Sequence, residues 1–137
     1  MNNQDIVKEA ENVILLLSKN KRDEFNLRTN QIRKFLSAVN TVNNKINVYQ
    51  SKIFLDNPTV TKKDITLSDS LVEEIKYLKI KIAYQAGREK AVKDFVQKAK
   101  LNEKIDAIGD SLDHYKKFAK YIEALVAYHK FYGGKDK

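Results

Sequence analysis

"NQIRKFLSAVNTVNNKINVYQSKIF", Asn30 to Phe54, decides the fold. Ile32, Val39, Ile46 and Ile53 recur every seven residues, and Phe35, Val42 and Tyr49 form a second seven-spaced row. Two such rows make one apolar seam along a helix. The stretch holds no glycine or proline to interrupt it, and Thr29 stands where a cap can form. The expected use of the seam is packing inside a bundle, with self-association as the lesser alternative. Residues 25–54 also carry five basic side chains and no acidic one: Arg28, Arg33, Lys34, Lys45 and Lys52. Lys45 and Lys52 flank the seam, while Arg33 and Lys34 point elsewhere near its start.

The flanking sequence extends the same pattern. Residues 4–19 read as an amphipathic helix with Ile6, Ala10, Val13, Ile14 and Leu17 on one face, broken by "KNKRDEFN". After the long helix, "LDNPTVTKKDITLSD" has a proline, several threonines and no helical period, and residues 55–67 are expected to form a mobile loop. "SDSLVEE" then starts a helix, with Ser70 and Glu73 spaced as a capping box and Leu71, Ile75, Leu78 and Ile82 as its buried stripe. Lys81, Tyr84, Gln85 and Arg88 share another face of it. Gly87 ends or weakens this helix. Residues 89–98 are helical again around Val92, Phe95 and Val96, and a short helix follows and stops at Gly109. Ser111 or Asp110 caps the last helix, residues 112–132. Its core stripe is Tyr115, Phe118, Ala119, Ile122, Leu125, Val126 and His129. No segment alternates with a period of two. The expectation is an all-α, single-domain bundle of about five to six helices over residues 1–137, with no sheet.

Composition narrows the function classes. There is no cysteine, so disulfides and thiolate metal sites are excluded, in keeping with a reducing, cytoplasmic setting. "VILLL", Val13 to Leu17, is too short to span a bilayer, and the N-terminus does not read as a signal peptide. The net charge is +8. Its one-signed concentration in residues 25–54 attracts polyanions, although an AT-rich coding bias gives the same lysine excess without a function. Arginine is scarce, four residues in all, and its planar fork suits phosphates.

The last helix ends in "EALVAYHKFYGG", Glu123 to Gly134. His129 falls on the core stripe, where a lone histidine is usually a packed residue. Lys130 and Tyr132 are candidates for RNA contact or for a subunit contact. Acid–base cleavage of one phosphate by two histidines is excluded within the chain. His114 lies fifteen residues from His129, about 22 Å along a helix. There is no HExxH, calcium loop or phosphate loop, and "AGREK" has a single glycine. No metal or cofactor is expected. From the residues alone, the chain is a basic helical binding module.

Three stretches say more: "LRTNQIRKFLSAVN" (Leu27 to Asn40), "YLKIKIAYQAGREKAVKDFV" (Tyr77 to Val96) and "YIEALVAYHKFYGGKD" (Tyr121 to Asp136). With their order and spacing, the chain resembles the small subunit of type III-A CRISPR–Cas effector complexes, the Csm complexes, over nearly its whole length. The resemblance implies a non-catalytic helical subunit in antiviral defence. Such subunits stack head to tail into an inner filament facing the backbone subunits. They contact the guide RNA–target RNA duplex without reading its sequence. Backbone subunits cut target RNA, and the large subunit handles DNA and cyclic oligoadenylate synthesis. On this footing Arg28, Arg33, Lys34, Lys45 and Lys52 are expected to contribute to an RNA face, with Lys81 and Arg88 a second group. A stand-alone basic helical RNA-binding protein and an adaptor for an acidic protein partner are the other readings.

Overall fold

The structure, a computed structural model, describes the backbone of residues 3–136 and the side chains from Ile6 to Asp136. Six helices follow one another: α1 (Asn3–Leu15), α2 (Thr29–Asp56), α3 (Asp69–Arg88), α4 (Lys90–Ala99), α5 (Leu101–Asp106) and α6 (Leu112–Phe131). A 3₁₀ turn at Lys62–Asp64 lies between α2 and α3. Among the described residues no strand forms, and only two isolated bridges occur, Lys19 with Phe25 and Thr66 with Ser111. The all-α reading therefore stands.

α2 is the long helix the heptad rows require. Ile32, Phe35, Val39, Val42 and Ile46 are buried, while Tyr49 and Ile53 are half-buried as the helix runs past its neighbours. It stops at Asp56 because Pro58 disfavours helical backbone at Asn57, which adopts φ −145° and ψ 80°. α3 and α6 both run antiparallel to α2. Gln31 bonds Glu89 at one end of the α2–α3 pair, and the Tyr49 hydroxyl donates to the Thr66 carbonyl at the other. Along α6, Tyr115 meets Val39 and Asn43, while His129 meets Leu27.

α6 packs against both α1 and α2. Leu112, Tyr115, Phe118, Tyr121, Ile122, Leu125 and His129 are buried, an arc wider than the sequence stripe, in which Ala119 and Val126 are half-buried. Leu112 and Tyr121 are the additions, and Tyr121 brings a polar group with it. Its hydroxyl donates to the Ala99 carbonyl at the end of α4, 2.9 Å away, which satisfies a polar group that burial would otherwise penalise.

Three local expectations are corrected. The first helix ends at Leu15, not at residue 19. Lys98 of α4 takes the Leu16 carbonyl at 2.7 Å, and the Asn20 side chain accepts from the Arg22 and Glu24 N–H groups, turning the chain back. This turn lets Leu17, Phe25 and Leu27 reach the core. Thr29 does not cap α2; it is the first helical residue, with its hydroxyl buried and unpartnered. The cap position is Arg28, whose N–H donates to the Gln31 side chain at 2.7 Å. The guanidinium has no acceptor, so only the return half of a capping box is chemically available. Ser68, not Ser70, caps α3, accepting from the Leu71 N–H at 3.3 Å. Ser111 caps α6, as expected, accepting from the His114 N–H.

The segment between α2 and α3 is packed at its C-terminal end. Ile65 and Leu67 are buried, and the Leu67 N–H donates to the Asp110 carbonyl at 2.7 Å.

Candidate nucleic-acid interface

α2 turns a broad face to solvent, and no acidic side chain interrupts it before Asp56. At 3.6 residues per turn, Lys34, Lys45 and Lys52 fall within about 20° of one another on that helix, so Lys34 does not point elsewhere as expected; only Arg33 of the four does, about 100° away. All four are exposed. Lys45 is the one with a partner in this row: its ammonium pairs with Glu74 of α3. Lys52 borders a shallow groove with Ser68 and Leu71 at the α3 start. Arg28 stands apart, half-buried at the α2 cap and near the Glu24 carboxylate.

α3 supplies the second group. Lys81 lies over the Tyr77 ring at 5.5 Å from its centroid, and Arg88 lies over the Tyr84 ring at the same distance. Both pairs have the four-residue spacing that brings helical side chains together. A groove of about 390 Å³ opens between α2 and α3. Lys34 and Lys81 stand on its two sides, Phe35, Val39 and Leu78 lie deeper, and Tyr77 and Tyr84 form its α3 edge. The fold thus joins Lys34 of the first group with Lys81 of the second.

Residues 1–135 match the family profile described as Csm2, type III-A. The CRISPR system Cms protein Csm2 of Streptococcus thermophilus is 37% identical over 136 residues, covering 99% of this chain and 98% of the relative. The protein of the same description from Mycobacterium tuberculosis (strain CDC 1551 / Oshkosh) is 42% identical over 133 residues, covering 97% and 95%. That of Enterococcus italicus is 37% identical over 108 residues, covering 77% and 68%. The chain belongs to the Csm2 family. It is a small subunit of a type III-A CRISPR system, and its place is in a Csm complex.

In this Csm2-family chain the end of α6 lies away from the α2–α3 groove. Tyr132 donates its hydroxyl to Glu11 of α1 at 2.5 Å, and Lys130 pairs with Asp136 at 3.6 Å. Both expected contact residues are thus engaged with the chain itself. His129 is buried. Its Nε2 is 2.8 Å from the Leu27 carbonyl oxygen, which can only accept, so Nε2 carries the proton. Nδ1 is left buried without a partner. Burial, chiefly, holds this histidine below its usual value; the Leu27 bond opposes that and Lys130 adds to it. The two glycines have different reasons: Gly133 takes a φ of +99°, and a Cβ at Gly134 would stand 2.7 Å from the His129 carbonyl oxygen and closer still to the ring.

Sequence reasoning passed over several groups. Tyr77 and Ile80, beside the Tyr84 already placed on that face, are exposed at 54% and 60%, and Tyr84 at 64%. Their signal was the Tyr–cation spacing of four, repeated after seven residues. Lys116, whose ammonium donates to Asn47 of α2, is held below the usual lysine value by burial first and by nearby Lys62 second. That cluster depends on the 3₁₀ turn packing on α6, which no local pattern announces. A further cavity of about 360 Å³ lies among α1, α5 and α6, bordered by Lys100, His114 and Lys117. Among the described residues no three His, Cys, Asp or Glu side chains gather as a metal site, and no helix is long and apolar enough to cross a membrane.

Proposed function

We propose that this chain is a non-catalytic subunit of the inner filament of the Csm complex, acting in the cytoplasm, and that its α2–α3 surface lies on the guide RNA–target RNA duplex. The observation that carries this reading is the acid-free, exposed face of α2 with Arg33, Lys34 and Lys52, continued by Lys81 and Arg88 on α3. Such a face suits sugar–phosphate contacts that are blind to sequence, and base pairing between guide and target then carries the sequence. Cleavage is assigned to the neighbouring backbone and large subunits. In support, His129 is buried and committed to the Leu27 carbonyl, out of reach of a phosphate.

Head-to-tail stacking needs apolar surface at two unlike places on the subunit. Leu16, just past α1 and at the same end of the bundle as the α6 C-terminus, is exposed at 67%, and Leu55, at the far end of α2, is exposed at 81%; these are the side chains we assign to it. Replacing Leu16 by glutamate should weaken self-association and leave the melting temperature unchanged. An assembly of undiminished length would remove Leu16 from the contact.

The test of the RNA face is target RNA binding by the reconstituted complex at several salt concentrations. Arg33→Ala, Lys34→Ala and Lys52→Ala should each lower affinity and flatten the log–log salt slope by about one unit or less. Lys45→Ala should do less, because its charge is already shared with Glu74. Unchanged slopes in all three would remove α2 from the RNA face.

A further inference from the structure

The exposed rings of α3 are not explained by phosphate contacts. Tyr77 and Tyr84 lie on one face of the helix, about 10 Å apart along its axis. Each has a cation over its ring, Lys81 and Arg88 respectively, and each remains more than half exposed. Beside them the α2–α3 groove has the volume of a small-ligand pocket and an apolar depth formed by Phe35, Val39 and Leu78. Lys34 and Lys81 stand at its sides. From Ile75 to Arg88 there are four cations and no acid. One of the four, Lys79, is taken by Asp106 at 2.7 Å.

Flat rings, an apolar slot and a cationic edge together fit one chemistry: a planar base attached to a phosphate chain. A paired base in an RNA duplex is stacked on both faces and cannot enter; an unpaired one can. An apolar protein helix would fill the slot but leave the cationic edge unmatched. We propose that the α2–α3 groove takes an unpaired RNA nucleobase, stacked on Tyr77 or Tyr84, with Lys34 and Lys81 on the flanking phosphates. The inference rests on the RNA-facing reading of α2 and α3 and adds a site for bases to it. The slot has an apolar interior and few polar groups, so it accepts bases without strong preference among them.

The test uses the full-length protein and two labelled RNA duplexes, identical except that one carries a single bulged 2-aminopurine. The wild type should bind the bulged duplex more tightly and quench its fluorescence as the base stacks on a ring. The double variant Tyr77→Leu/Tyr84→Leu keeps the apolar surface and removes the π-faces. It should lose the preference, by about 5- to 100-fold, with an unchanged salt slope. The corresponding phenylalanine variant should keep it. Both rings are exposed, so helical content by circular dichroism should be the same in all three proteins.

No preference for the bulge in the wild type overturns the proposal, as does a leucine variant that retains preference and quenching. A leucine variant that loses self-association while binding both RNAs as before also overturns it, and assigns the rings to a protein contact. Lys34→Ala and Lys81→Ala separate the two levels. If neither weakens binding to the fully paired duplex, the RNA-facing reading itself fails; if they do and the tyrosines have no effect, only the base site fails.

Discussion

His129 and Gly134 form one structural unit. The glycine lies against the imidazole, and the imidazole holds the loop before α2 through the Leu27 carbonyl. Gly134→Ala should cost about 1–3 kcal/mol, because its Cβ meets a carbonyl oxygen that has no room to move. Gly87 in α3 has open space around it, so Gly87→Ala should be neutral or stabilise by up to about 1 kcal/mol. Thermal melts of the two variants check both signs. The histidine also predicts a pH dependence. Folding lowers its affinity for protons below the ordinary value of 6.5, so below that pH the unfolded chain takes up more protons than the folded one. Its contribution is complete above pH 6.5 and is lost as pH falls through the window down to the lower folded value. His129→Gln can still donate to Leu27 but cannot titrate there. It should melt lower at neutral pH, having lost the ring contact with Phe25, yet lose less on going to roughly pH 5. An equal or steeper acid loss in the variant would contradict the neutral, buried assignment.

At the scale of the element, α2 and α3 were legible because burial on one side imposes a period. Ile32, Phe35, Val39, Val42 and Ile46, like Leu71, Ile75, Leu78 and Ile82, are buried where the spacing placed them. What the pattern could not resolve is where a helix begins and what crosses over it. In "SDS" two serines compete for the cap, and the Leu67–Asp110 bond sets the chain direction that selects Ser68. α1 stops early because of Lys98, a residue far along the chain. Tyr121 lay off the α6 stripe because its partner, the Ala99 carbonyl, belongs to another helix end. The α2 cations were legible as a one-signed run. The pairing of Lys45 with Glu74 was not, since it needs α3 alongside. The linker divides in the same way. We expect fast amide exchange over residues 57–64 and protection at Leu67, whose N–H is bonded to Asp110. Hydrogen exchange by mass spectrometry reads both, and uniform protection across the linker would contradict the proposed mobility of its first part.

On the scale of the whole molecule, the bundle separates its tasks by surface. The core gathers around α6, and the end of that helix is fastened to α1 and to the start of α2. α2 and α3 carry an exposed run of cations without acids between them, together with the exposed rings of Tyr77 and Tyr84. A protein whose charge excess came from coding bias alone would spread it; here Glu74 and Asp106 at the face are each paired with a lysine, and Glu89 at its end accepts from Gln31. The central claim, that this face lies on RNA, is tested most directly by one comparison. Target RNA binding by the assembled complex should be followed against salt with the wild-type subunit and with the combined Arg33→Ala/Lys34→Ala/Lys52→Ala variant. The account predicts a slope flatter by about two units and weaker binding at low salt. Full incorporation of the variant with an unchanged slope would contradict it.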